Sequence, residues 1–287
     1  MLKSLKPAIS CLVLAAMASL SPPSFAQESG DSAKDAATNK NDKSGTNPIN
    51  FQRDIRVYNE FSWLNTAGDG EQNVTTLEYR QPFAGGKWQF RGRVRYSALE
   101  ADLNGDGIDD IDDSGLGDSD FRLLTVPYLK GANAFAIAFE AFFDTASEDS
   151  LGSGATSLGP QVFYARFFGS SPLPIYSGGG FFAPGLQYKF SVEEDDGRDD
   201  VEQILIDLNY IAMTKDRQAW FFTDPQIVID LETDKEFAIV DFEFGWMMTN
   251  WFEDLKGHSF YVRPTVSVGR DRPADYGVEI GYKLVGF

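Results

Sequence analysis

Cysteine is almost missing from this chain: Cys11 is the only one, and it lies in an N-terminal stretch with the form of an export leader. Once that stretch is removed, disulfides, thiolate metal sites and cysteine nucleophiles are excluded. Histidine is equally scarce, with His258 alone, and its neighbour Ser259 points to the opposite face of a strand. A hydrolytic site needs histidine and serine converging with a third polar group, and Gly257-His258-Ser259 offers none, so no enzyme activity is expected. Basic charge is also short, 25 Lys and Arg against 43 Asp and Glu for a net charge of −18, which makes nucleic acid an unsuitable partner. Finally, no apolar run is long enough for a helical membrane span: Ala8 to Leu20 falls short of the roughly 20 residues required, and Ala134 to Phe143 is broken by Glu140. If this chain crosses a membrane, it does so as a closed β-barrel.

What is present begins with an address. Lys3 and Lys6 precede the apolar run, and Ser24-Phe25-Ala26 is a small-x-small cleavage site, so residues 1–26 form a signal peptide. The Ala8-Ile9-Ser10 stretch before Cys11 lacks the leucine of a lipid-acceptor motif, and most of the apolar run follows the cysteine, which points away from lipidation. Cleavage removes two lysines and no acids, taking the charge to 23 − 43 = −20. Residues 27–50 are polar, with too little apolar surface to offset the entropy of ordering, and are expected to be a flexible tail. The folded domain then occupies residues 51–287.

Along that domain, apolar and polar residues alternate over segments of roughly ten, each bounded by Gly, Asp, Asn or Pro. About twelve such strands are predicted, with outward sets such as Leu77/Tyr79/Phe83, Phe163/Ala165/Phe167 and, past a bulge at Asp224-Pro225, Trp220/Phe222 continuing as Ile227/Ile229/Leu231. The segment from Trp88 to Tyr96 fixes the register, because the face opposite its apolar residues is Gln89, Arg91, Arg93 and Arg95. An arginine at the bilayer midplane of a barrel costs roughly 2–4 kcal/mol, so these side chains must face the lumen. The fold class is therefore all-β: a closed antiparallel transmembrane barrel with short periplasmic turns at Gly85-Gly86, Gly131-Asn133 and Lys215-Arg217. Longer acidic loops over 99–119, 146–159 and 193–200 would lie outside the cell.

The ends of the strands fit the same picture. Trp63 lies toward the outer rim and Trp88, Trp220, Trp246 and Trp251 toward the periplasmic rim, as aromatic girdles predict; a soluble β-sandwich is the competing architecture. In the last segment Val278, Ile280, Tyr282 and Leu284 alternate with Gly277, Glu279, Gly281 and Lys283, and Phe287 resembles a terminal signal read by barrel-assembly machinery. It is out of phase with the lipid-facing row, which predicts a bulge at Gly286 or a frayed last turn. The expected location is the outer membrane of a Gram-negative bacterium, in contact with its lipid and lipopolysaccharide.

Three constellations are candidates for chemistry. Asp102, Asn104, Asp106, Asp110 and Asp113, with Gly107 at the turn, have the spacing of a calcium loop over 102–113; no cofactor is required, and a merely solvated acidic loop is the alternative. The luminal ladder of Arg91, Arg93 and Arg95 beside Glu78 and Arg80, with Glu60 one strand further, reads either as structural ion pairs or as an anion-attracting constriction. Leu64, Phe142, Leu205, Phe237 and Ile239 are apolar yet inward and near the outer ends of their strands, forming either a hydrophobic mouth for solute capture or a cap on the interior.

Ser114-Gly115-Leu116-Gly117-Asp118, Leu151-Gly152-Ser153-Gly154 and Leu158-Gly159-Pro160 give residues 114–169 a pattern that resembles the outer-membrane transporter family associated with meta-pathway phenol degradation. The resemblance implies a β-barrel passing small, often aromatic compounds, and it carries no catalytic residues. The expected function is passive passage of small solutes, aromatic or hydrophobic ones included. The alternatives are a closed structural or surface-interaction barrel and, third, a lipid-modifying barrel enzyme.

Overall fold

The computed structural model describes residues 50–287 apart from Asp196 and Asp199; the leader 1–26, Cys11 and the tail up to residue 49 lie outside the described residues. Strands form wherever β-branched and aromatic residues alternate with polar ones. In chain order they are β1 (Asp54–Leu64), β2 (Gly70–Phe83), β3 (Trp88–Ala101), β4 (Ile111–Leu116), β5 (Ser119–Lys130), β6 (Asn133–Phe143) and β7 (Ala155–Phe168). They continue as β8 (Gly180–Glu194), β9 (Glu202–Met213), β10 (Ala219–Asp230), β11 (Glu236–Met247), β12 (His258–Val268) and β13 (Ala274–Val285).

Every pairing is antiparallel, and β1 pairs with both β2 and β13, so the sheet closes on itself. One edge of β3 is shared: Trp88–Arg93 face β5, while Tyr96–Ala101 face β4. Thus β4 and β5 make a single stave interrupted at Gly117-Asp118, and the barrel has twelve staves. Asp54 of β1 lies opposite Val285 of β13, so both ends of the domain sit at one rim, here the terminal end. The links at that end include the tight 84–87, 131–132 and 214–218, but also 169–179 and 248–257, which exceed the far-end links 231–235 and 269–273.

The exterior carries exposed Leu77, Val94, Tyr96, Phe139, Tyr188 and Ile280, whereas Glu78, Gln89, Arg91, Glu140 and Lys283 are buried inside. Trp63 packs on Tyr276 near the far rim, and Trp246 and Trp251 both pack on Phe260 near the terminal rim. At the chain's end β13 stops at Val285; Gly286 takes a positive φ of 72° and donates its N–H to the Arg53 carbonyl at 2.8 Å. The Arg53 guanidinium then lies 5.6 Å from the centre of the Phe287 ring.

Two outward sets are corrected. On β7 the lumen is lined by Gln161, Phe163 and Ala165, and the exposed residues are Val162 and Tyr164. On β10 the register with β11 runs without a shift from Ala219 to Ile229, so no bulge exists at Asp224-Pro225; Trp220 is 0% exposed, and Phe222 lines the lumen. Apolar-out and polar-in fails here for one reason. The terminal end of the lumen is filled by an apolar cluster that includes Ala134, Phe167, Phe181, Ile211, Met213, Trp220, Met247 and Tyr261. Both faces of these segments are consequently apolar.

Two inward glycines make room for the largest members of the cluster. A Cβ on Gly245 would fall 2.0 Å from Cζ2 of Trp220, and one on Gly281 would fall 2.2 Å from Cε1 of Tyr261. Gly245→Ala should therefore destabilise the barrel by about 1–3 kcal/mol through overpacking. In chemical unfolding from lipid vesicles, combining it with Trp220→Phe, which removes the clashing atoms, should cost less than the sum of the two single changes.

Candidate functional site in the barrel lumen

Above the apolar cluster the lumen opens into a cavity of about 520 Å³. Its wall receives charged side chains from nearly every stave, because alternation turns every second residue inward. Charges of opposite sign lie close enough to pair. Near β1 and β2, Arg56 Nη2 meets Asp54 Oδ2 at 3.0 Å, and Glu78 Oε1 receives Arg56 Nε at 3.3 Å and Arg80 Nε at 2.6 Å.

The ladder of Arg91, Arg93 and Arg95 is paired along its length. Asp120, 0% exposed, accepts Arg91 Nη2 at 3.2 Å, Arg93 Nε at 2.9 Å and Arg95 Nη2 at 2.5 Å. Glu140 pairs with Arg91 and accepts Arg93 Nη2 at 3.0 Å. Alternation alone does not mark Asp120 and Glu140 as partners of the ladder, although both sit at inward positions of strands that flank or neighbour it. Arg122 is a further inward residue that the sequence pattern does not distinguish from the ladder arginines. It lines the same cavity on β5, opposite Arg91 and Glu140 in the sheet, and its side chain makes no ion pair or hydrogen bond with any described residue.

A third group lies on the other side of the barrel. Glu243 accepts Lys283 Nζ at 2.9 Å and Trp220 Nε1 at 2.6 Å, and pairs with Arg263, whose Nη1 also reaches Glu279 at 3.3 Å. Tyr261 donates its hydroxyl to Glu279 at 2.5 Å. Between this group and β7 stand Asp207, Asp224 and Asp241, none of which has a described cation within ion-pair distance.

The remaining predicted positions separate by height. Glu78, Arg80, Arg91, Arg93, Phe142 and Leu205 line the cavity, and Lys189 Nζ lies 4.2 Å from the centre of the Phe142 ring. Glu60 and Arg95 lie further toward the far end, where Glu60 accepts the Ser62 hydroxyl at 3.3 Å. Leu64, Phe237 and Ile239 are half-buried at the far ends of β1 and β11 and do not line the cavity. The chain's own start contributes too: Asn50 and Gln52 line the cavity, and Phe51 packs on Leu124, Ala136 and Ala138.

The acidic loop after β3 is held by its own backbone. Asp102 accepts N–H groups from Asn104 at 3.2 Å, Gly105 at 2.6 Å and Gly107 at 2.8 Å; the Gly107 amide does most to keep its carboxyl below the usual range. Asp110 accepts from Leu103 N–H and Asn104 Nδ2, Asp106 accepts from Ile108 N–H, and Asp113 accepts from Ser150 on another loop. These oxygens serve local donors and do not converge: among the described residues no three His, Cys, Asp or Glu side chains are grouped to hold a metal ion. The glycine-rich motifs do meet, since Asp118 Oδ2 accepts both the N–H and the hydroxyl of Ser153 at 2.8 Å. His258 Nδ1 bonds to the Tyr282 hydroxyl on the outer face, while Ser259 is fully buried on the inner one, so the two do not meet.

Solved structures share this fold, a closed antiparallel barrel of twelve staves. The chain superposes on an outer membrane channel from Pseudomonas putida F1 with a TM-score of 0.62 at 10% identity, covering 82% of this chain and 95% of that one. It superposes on the NanC porin with a TM-score of 0.50 at 12% identity, covering 81% and 98%. No family model and no curated protein matches the sequence. The shared fold therefore does not establish the meta-pathway phenol transporter family.

The pairing pattern separates two kinds of luminal charge. Asp120→Asn strips a carboxylate shared by three arginines and should destabilise the barrel by about 3–5 kcal/mol, whereas Arg122→Gln should cost under about 1 kcal/mol. Thermal unfolding in detergent, followed by the shift in gel migration between folded and heated protein, measures both. Equal losses would contradict the assignment of Arg122 as the unpaired one.

Proposed function

We propose that this protein is an outer-membrane channel of a Gram-negative bacterium through which small solutes pass down their gradients. The observation that carries this reading is the cavity itself: a barrel with an apolar exterior encloses a charged space of about 520 Å³ instead of packing it solid. Eight-stranded barrels are filled by side chains and sixteen-stranded ones hold open channels, so twelve staves suit a narrow path. In this reading Arg91, Arg93 and Arg95, with Asp120 and Glu140, form the charged narrow section. Phe142 and Leu205, together with Phe163 and Phe222 on the same wall, favour solutes with an apolar or aromatic body.

The export leader and the lipid-facing rows support the location, with outer-membrane lipid, lipopolysaccharide and the assembly machinery as partners. The apolar cluster at the terminal end favours a second reading, a barrel closed at rest. Planar-bilayer recording separates the two. Purified protein should give small discrete conductance steps, and Phe222→Ala, which trims a side chain shared by cavity and cluster, should enlarge them. Absence of steps in both proteins would overturn the channel in favour of the closed barrel.

A further inference from the structure

The wall formed by β7, β9, β10 and β11 carries a charge arrangement that the fold alone does not require. Asp224 and Asp241 are directly opposite each other across the β10–β11 ladder, where like charges repel. Asp207 joins them from β9, and no described lysine, arginine or histidine lies within ion-pair distance of any of the three. Asp207 has amide partners, accepting Gln161 Nε2 at 3.0 Å and Gln226 Nε2 at 2.7 Å, and Asp241 accepts the Thr265 hydroxyl at 2.8 Å. One oxygen of Asp224 accepts no hydrogen bond from any described residue.

A second observation comes from a neutral side chain. Gln161 is only 6% exposed and lines the cavity, yet its Oε1 has no partner among the described residues. It reaches Asp207 across β8 because Gly185 stands between them without a side chain; a Cβ there would meet Asp207 Oδ2 at 3.4 Å and Phe163 at 2.5 Å. A buried acceptor left unsatisfied costs free energy, and so do facing carboxylates without a cation. One guest would relieve both. It must be positively charged, and it must donate several hydrogen bonds.

We propose that Asp207, Asp224, Asp241 and Gln161 Oε1 form a binding site for a small organic ammonium ion, with Phe163 and Phe222 receiving its apolar body. An ammonium group brings three N–H donors to these acceptors. A bare metal ion fits less well: it needs its oxygens within about 2.3–2.6 Å of one point, and among the described residues no three carboxylates converge so closely, whereas an ammonium can bridge acceptors spread over neighbouring staves. The chain's own cations inside the barrel are engaged elsewhere: Arg263, whose guanidinium lies 6.0 Å from the centre of the Phe222 ring, pairs with Glu243 and Glu279, Lys283 pairs with Glu243, and Lys189 lies over Phe142. Arg122, unpaired on β5, faces the same cavity and disfavours a cation on its own side, which confines the ammonium to the acidic wall. This assignment names the solute class of the channel reading and rests on it for transport, though not for binding.

Calorimetric titration of the full mature protein in detergent with 2-phenylethylammonium tests it, with phenylacetate as the anionic counterpart of the same body. Saturable binding of the ammonium and none of the acid is expected. Asp224→Asn with Asp241→Asn should weaken it at least tenfold, and Gln161→Leu several-fold, with gel migration showing that each variant is folded. Because neither aspartate is ion-paired, the amide changes strand no cation and should preserve the barrel. Undiminished binding in the folded double variant would overturn the proposal, as would no binding to wild type, or displacement of the probe by calcium at equal concentration. Conductance steps without ammonium binding would defeat this inference alone, and binding without steps would defeat the channel reading alone.

Discussion

Everything in this molecule follows from the need to satisfy each backbone N–H and C=O without water in the hydrocarbon. A helix does so within itself, but among the described residues no helix is long and apolar enough to span. A sheet can do so only without edges, and the β1–β13 ladder from Asp54–Val285 to Leu64–Ala274 removes them. Closure in turn dictates the side chains. Each stave has one face for lipid and one for a confined interior, and whatever the sequence places on the second face must be accommodated there.

The interior is accommodated in two ways. At the terminal end, aromatic and small residues pack as an ordinary core, with Gly245 and Gly281 giving space to Trp220 and Tyr261. Higher up, carboxylates and guanidinium groups pair across neighbouring strands around Glu78, Asp120, Glu140 and Glu243. Such pairs offset the desolvation of their members more than they add stability, so their presence is a condition of burying charge. The groups outside this scheme are Arg122 on one wall and Asp207, Asp224 and Asp241 on the other, none with an ion-pair partner among the described residues. Unpaired charge in a cavity is where a permeating solute meets the strongest field.

Much of this was legible in the residues. The arginine face of β3 fixed which way the barrel turns its polar side, because no other arrangement keeps three guanidinium groups out of lipid. The turns at Gly85-Gly86, Gly131 and Lys215-Arg217 were marked by their residues, and glycines 85, 86 and 131 and Arg217 all have positive φ. The facing of Trp220, Phe222 and Phe163 was not legible, since alternation assigns a side only where the two faces differ in polarity, and the apolar cluster erases that difference. Nor did the sequence reveal which arginine lacks a partner. Pairing depends on register between strands distant in sequence: Arg93 meets Asp120 and Glu140, whereas Arg122, with the same residue type and the same inward phase, meets neither.

Successive residues of one strand face water and lipid in turn, and the scarcity of cysteine makes that directly measurable. With Cys11 as the only native thiol, Gln226→Cys and Ile227→Cys on β10 can be introduced singly into protein reconstituted in vesicles. Gln226→Cys should react readily with a small, charged, membrane-impermeant thiosulfonate. Ile227→Cys should resist it, and a fluorophore placed there should be quenched by lipids brominated in their chains. Equal reactivity at the two positions, or quenching at neither, would contradict a lipid-embedded barrel around a wet lumen.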